Sequence, residues 1–177
     1  MRKKQNVHRP VGAEPSWFLS RKGFEGKHGR GEEAIEIGRI GRLHGQGPKA
    51  AAELIGYLSN PSPIVKAKCL KALAALNAVE AAESVAPLLL SGSEFVRAEA
   101  ARTLGVFRHA GSFLQLIART NPEKESHPLV RRAAWDALVD MPGKDISATL
   151  GLRLSQETDS QIAEFLRQRI SARKGLH

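Results

Sequence analysis

Val96-Arg97-Ala98-Glu99-Ala100-Ala101-Arg102-Thr103-Leu104 decides the fold, because the same pattern recurs on both sides of it. Upstream stands Val65-Lys66-Ala67-Lys68-Cys69-Leu70-Lys71-Ala72-Leu73, and downstream Val130-Arg131-Arg132-Ala133-Ala134-Trp135-Asp136-Ala137-Leu138. The anchors 65, 96 and 130 are 31 and 34 residues apart, and a further copy runs from Ile162, 32 residues on, to Ile170. A degenerate copy precedes them over Glu32 to Ile40, with Ala34, Ile37 and Ile40 at the equivalent places. A period in this range marks an array of repeated units.

Each copy reads as a helix. In the first, Val65, Cys69, Leu70, Leu73 and Leu76 fall within a sector of about 140° at 100° per residue. A stripe that wide needs neighbouring units to cover it, which is why such units stack. Ala67, Ala98, Ala100, Ala101, Ala133 and Ala134 allow close helix approach. A second helix is expected between anchors, over Lys49–Leu58, Val79–Leu90, Ala110–Arg119 and Lys144–Leu154. Pro63 and Pro128 stand at helix starts, where a missing N–H costs nothing. Ser93 and Asp159 suit N-caps, and Gly92, Gly111 and Gly143 fall in connecting turns. The fold class this predicts is all-α: an α-solenoid of about four to five helical hairpins over residues 32–174, preceded by an N-terminal arm over 1–31.

The arm differs in composition. Residues 1–30 hold eight Lys/Arg against two Glu, so six of the chain's nine net positive charges lie there. Gly23-Phe24-Glu25-Gly26-Lys27-His28-Gly29-Arg30-Gly31 has no apolar period and reads as flexible linker. A basic arm is attracted to polyanions. Its expected partner-binding residues are Arg2, Lys3, Lys4, Arg9, Trp17, Phe18, Arg21, Lys22, Lys27 and Arg30. Trp17-Phe18-Leu19 has two readings, a docking motif for a partner groove or a cap folded back on the open end of the array.

On the repeats, Lys66, Arg97 and Arg131 form a column one residue after each anchor, and Lys71 and Arg102 a column six after, with Lys68 and Arg132 nearby. The functional reading is a basic ridge for phosphates or acidic peptides. The competing reading is a solvated face plus salt bridges between units. Ala163 takes the plus-one place in the last copy, so a ridge would fade there.

The pattern Val-Arg-x-x-Ala-x-x-x-Leu at Val96–Leu104 and Val130–Leu138, followed by an Ala/Leu-rich second helix, resembles HEAT repeats of the short, phycobilisome-lyase-like type. The resemblance covers residues 32–170. It implies an α-solenoid; repeats of this kind occur in bilin lyases, kinase regulators, DNA-repair enzymes and scaffolds. The Trp, Gly and Tyr signature of tetratricopeptide repeats and the Thr-Pro-Leu-His of ankyrin repeats are missing. HEAT-like alkylpurine DNA glycosylases use Trp and Asp, which Trp135-Asp136 matches in type. However, Trp135 shares the core column of Leu70 and Ala101, while Asp136 shares the exposed column of Lys71 and Arg102.

No catalytic or cofactor site is expected. The single cysteine, Cys69, occupies a core column shared with Ala100, Ala134 and Leu166, as small buried hydrophobes do. It excludes an intramolecular disulfide and fits a reducing, cytoplasmic compartment. An arginine-rich, acid-poor leader also fits an organellar address, against which Pro10, Glu14 and Pro15 speak. The six histidines His8, His28, His44, His109, His127 and His177 form no i,i+4 pair and no metal motif. No apolar run reaches the roughly 18–20 residues of a membrane span. The leading expectation is a non-enzymatic interaction or scaffold protein with a protein partner. A nucleic-acid-associated protein, on structured RNA or the ribosome, is the alternative, and a bilin-lyase-like enzyme or subunit the third.

Overall fold

The structure, a computed structural model, describes residues 30–139, 141 and 146–174, and every regular element among them is helical. α1 (Arg30–Gly45) is followed by a 3-10 turn over Gly47–Ala50, α2 (Ala51–Tyr57) and α3 (Pro63–Ala75). Then come α4 (Ala82–Val85), flanked by the 3-10 turns Val79–Ala81 and Ala86–Leu90, and α5 (Glu94–Val106). A further 3-10 turn, Ala110–Ser112, leads into α6 (Phe113–Arg119). α7 (Pro128–Val139), α8 (Ser147–Gln156) and α9 (Ser160–Lys174) complete the described residues. Helix thus begins at Arg30, two residues before the expected boundary of the repeats.

The long helices pack in chain order: α1 on α3, α3 on α5, and α5 on α7. The shorter segments lie against the long helix that follows them, α2 against α3, Ala86–Leu90 against α5, α6 against α7 and α8 against α9. The anchors and their apolar companions make the core. Val65, Cys69, Leu70, Leu73, Val96, Leu104, Val130 and Leu166 are all fully buried. So are Ala98, Ala100, Ala101, Ala133 and Ala134, the small residues that let α5 and α7 approach. Gly105 marks the closest approach, since a Cβ there would lie 2.8 Å from both Cα and Cβ of Ala137. Gly105→Ala gains up to about 1 kcal/mol in helix propensity but forces α5 and α7 apart. A net loss of about 1–3 kcal/mol in urea unfolding is expected; an unchanged midpoint would place the α5–α7 contact elsewhere.

Local chemistry explains where the helices begin and end. Pro63 opens α3 with Ser62 as N-cap, its hydroxyl accepting from the amides of Ile64 and Val65. Asp159 caps α9 through Oδ1, which accepts from Gln161 and Ile162 at 3.0 Å. Ser93 stands at the N-cap of α5 but makes no side-chain cap bond; Ser91 Oγ instead accepts from the Ser93 amide at 3.3 Å. α3 and α5 end alike. Asn77 and Arg108, 31 residues apart, both take positive φ, 50° and 51°. The amides that follow, Ala78 and His109, donate back to Leu73 and Leu104 at 3.0 and 3.1 Å, closing the Schellman pattern. Val79–Leu90 is broken rather than continuous, consistent with Pro87 lacking a donor inside it. Gly143 and Lys144 lie outside the described residues.

Candidate interaction surface

The column one residue after each anchor turns out to join units. Arg131 is 2% exposed. Its Nη1 donates to the carbonyls of Glu125 and Ser126 at 2.9 and 3.0 Å, in the turn that leads into its own helix. Its Nε and Nη2 donate to Glu157, at 3.0 and 2.5 Å, in the turn before α9. Arg97 repeats this one unit earlier. Nη1 donates to Ser91 and Gly92 carbonyls at 2.7 and 3.2 Å, while Nε and Nη2 reach Glu125 at 2.7 and 2.8 Å. Each arginine therefore clamps its own entry turn to that of the next unit through a bidentate carboxylate, the geometry that suits guanidinium best.

The two carboxylates occupy equivalent places, five residues before the anchors at 130 and 162. Each also caps its own turn: Glu125 Oε1 accepts from the His127 amide at 3.1 Å, and Glu157 Oε1 from the Asp159 amide at 2.9 Å. Arg119 adds a third charge 3.5 Å from Glu125. Towards the N-terminus the equivalent places hold Asn60 and Ser91, and the link changes character. Asn60 Nδ2 donates to Glu36 Oε2 at 2.7 Å, and Ser62 Oγ donates to Glu33. Lys66, half-buried, faces a unit with Ser91 where the later ones have Glu. The buried Thr103 hydroxyl has one proton between the Glu99 carbonyl of its own helix, at 2.8 Å, and the Leu70 carbonyl of α3, at 3.2 Å.

Of the two readings of this column, salt bridges between units rather than a basic ridge hold at Arg97 and Arg131, whose donors are spent on neighbouring segments. Glu125 and Glu157 are the residues the sequence reading missed, and the signal was available as an acidic residue 28 or 26 positions after each arginine. The outer column is different. Lys71 is exposed; Arg102 pairs with Glu99 at 3.0 Å, its side chain 39% exposed. Arg132 pairs with Asp136 at 3.1 Å, and its guanidinium lies 4.0 Å from the Phe165 ring centroid. Arg132, Ser160, Gln161, Glu164, Phe165 and Gln168 line a shallow groove of about 390 Å³ between α7 and α9. Arg2, Lys3, Lys4, Arg9, Trp17, Phe18, Arg21, Lys22 and Lys27 lie outside the described residues, and Arg30 is the first residue of α1.

Electrostatics follow from this burial. Burial by itself raises the Glu125 carboxyl, but the Arg97 hydrogen bond, the His127 amide and the charges of Arg97 and Arg119 outweigh it and hold it below its ordinary 4.5. Arg97 is raised in turn, first by that hydrogen bond. A carboxyl depressed on folding stabilises fully above its unfolded value and loses that contribution as pH falls through the folded one. The stability difference between wild type and Glu125→Gln is therefore expected to be constant above about pH 5.5 and to shrink steadily below about pH 4.5. Urea titrations across that range test it, and a difference that grows on acidification contradicts the pairing.

Other chemistry-bearing groups are enclosed. The Cys69 thiol is fully buried, donates to the Leu54 carbonyl at 2.8 Å, and is pushed up to about 12 by burial. Trp135 is fully buried and its indole Nε1 finds no acceptor among the described residues. Asp136 points outward to Arg132. His109 links Ser112, through Nδ1 at 2.9 Å, to Glu83, through Nε2 at 3.2 Å, but the Ser112 side chain is buried. Among the described residues no group of three or more His, Cys, Asp or Glu could hold a metal ion, and no helix is long and apolar enough to cross a membrane. No family model matches the chain, and no curated protein matches it by sequence.

Proposed function

We propose that the chain is a short solenoid of HEAT-like repeats that works as a non-enzymatic interaction protein, presenting a fixed surface to a macromolecular partner with a basic N-terminal arm as a second contact. The observation that carries this reading is the pair of buried clamps, Arg97–Glu125 and Arg131–Glu157. In a repeat array each unit touches only its neighbours, so a constant binding surface requires defined junctions. Lys71, exposed, with the half-buried Arg102 and Arg132 then forms the charged part of that surface. A protein partner is the first assignment.

The second reading, a nucleic-acid partner, rests on the six net charges in residues 1–30. The two differ in what the purified full-length chain carries and in salt dependence. Cross-linking mass spectrometry on the full chain is expected to join one reproducible protein to the arm lysines and to Lys71. If nucleic acid co-purifies instead, is stripped by high salt, and binds with a log–log salt slope that flattens when Arg2, Lys3, Lys4 and Arg9 become glutamine, the second reading replaces the first.

A further inference from the structure

The entry turns of successive units share one hydrogen bond. In each, the residue five before the anchor accepts from the amide two positions on. Asn60 Oδ1 accepts from Ser62 at 2.8 Å, Ser91 Oγ from Ser93 at 3.3 Å, Glu125 Oε1 from His127 at 3.1 Å and Glu157 Oε1 from Asp159 at 2.9 Å. Arg97 also bonds the carbonyls of Ser91 and Gly92 as Arg131 bonds those of Glu125 and Ser126. The turn at Ser91 is therefore the turn at Glu125 with a different first side chain.

That side chain matters. Glu125 and Glu157 each receive the guanidinium of the preceding unit as well. Ser91 ends two carbons short of a glutamate and carries no charge, and the cation of the preceding unit is Lys66. Lys66 is half-buried, and among the described residues its ammonium has no ion pair. An ammonium that has lost part of its water gains from a carboxylate brought to it, as the two arginines gain from theirs. The residue ahead of the turn differs too. Elsewhere it is Ser59, Lys124 or Gln156, exposed and polar; ahead of Ser91 it is Leu90, 75% exposed. The junction without an acid thus carries an unpaired cation and an open leucine together.

We propose that this junction, Lys66 with Ser91, is the docking point for an acidic side chain of a protein partner. The partner's carboxylate takes the place that Glu125 and Glu157 hold in the later junctions, and an apolar residue beside it packs on Leu90. The chain itself supplies the argument for this occupant, since at two equivalent junctions the group on the cation is a glutamate carboxylate. The assignment rests on the reading of the chain as an interaction protein and names the chemistry of one contact.

Amide NMR of the isotope-labelled full chain tests it, with N-acetyl-Leu-Glu-Leu amide as probe and the corresponding Gln peptide as neutral control. The Glu peptide is expected to shift the Ser91, Gly92 and Ser93 amides along a saturating curve, and the Gln peptide to leave them in place. Lys66→Gln is expected to weaken the curve severalfold. Ser91→Glu supplies the carboxylate from within the chain. It is expected to abolish the curve and to raise the urea midpoint, and that rise is expected to vanish when Lys66→Gln is added. Equal responses to the two peptides, no response at these amides, or a curve unchanged in either variant overturns the proposal. So does a Ser91→Glu chain no more stable than wild type, because Lys66 would then be out of reach of the turn. Failure of the wider reading has a different signature. If cross-linking captures no protein while the peptide curve stands and Ser91→Glu removes it, the carboxylate site remains and the interaction reading falls. A protein captured equally by wild type and Ser91→Glu keeps the interaction reading and removes this contact.

Discussion

Arg131→Ala is expected to lower the stability of the chain by about 3–5 kcal/mol, the usual consequence of removing one member of a buried ion pair. The size follows from what is left behind. Glu157, its side chain 1% exposed, keeps only the Asp159 amide, and the carbonyls of Glu125 and Ser126 lose their donor. The penalty is thus the desolvation of a carboxylate with too few donors rather than the value of the pair itself. Two companion variants separate these terms. Arg131→Lys keeps the charge but loses the fork and is expected to fall between wild type and alanine. The double change Arg131→Met with Glu157→Leu removes both charges and is expected to cost far less than Arg131→Ala alone. Urea unfolding at neutral pH measures all three. A loss below about 1 kcal/mol for Arg131→Ala would mean that water reaches Glu157 and that the clamp is not closed.

Leu104→Ala is expected to cost about 2–5 kcal/mol. Leu104 is fully buried on α5, the helix packed between α3 and α7, so the vacated volume has helices on both sides that cannot collapse without moving a unit. Leu73→Ala should behave alike for the same reason on α3. Lys71→Ala, on the exposed side of α3, is expected to stay within about 0.5 kcal/mol. Similar losses at Leu73 and Lys71 would show that the helix is rotated from the register described.

The helical register was legible because it depends on spacing alone. Val65, Val96 and Val130 are recognisable anchors, and the 3.6-residue period carries their companions inward whatever the neighbouring unit is. Asp159 and Pro63 were legible for a related reason, since a cap acts within three residues of itself. For Arg97 and Arg131 the sequence offered salt bridges between units beside a ridge, and the first holds; which acidic residues they meet was not legible, because one position past an anchor lies on the boundary between buried and exposed. There the outcome depends on a residue more than 25 positions away. With a carboxylate at Glu125 or Glu157 the arginine turns inward; with Ser91 in that place Lys66 has no such pull. Ser93 makes no side-chain cap bond, although Ser62, whose own amide is likewise held by the residue two before it, caps α3. The interaction surface was less legible still: Arg132 stands over Phe165 only because α9 returns beside α7.

Cys69 gives the N-terminal junction a chemical clock. A thiol reagent needs access and a thiolate, and in the closed stack the sulfur has neither: it is sealed between α2 and α3, bonded to the Leu54 carbonyl, and raised to about 12. Modification therefore waits for α2 to lift from α3, and its rate counts those events. The acid–arginine clamps lie later in the chain, around α5, α7 and α9, whereas α1 and α3 are linked by Asn60 and Ser62. A rate well above that of global unfolding would mean that the first units detach on their own, leaving the clamped units folded. A rate equal to it would mean that all units open together.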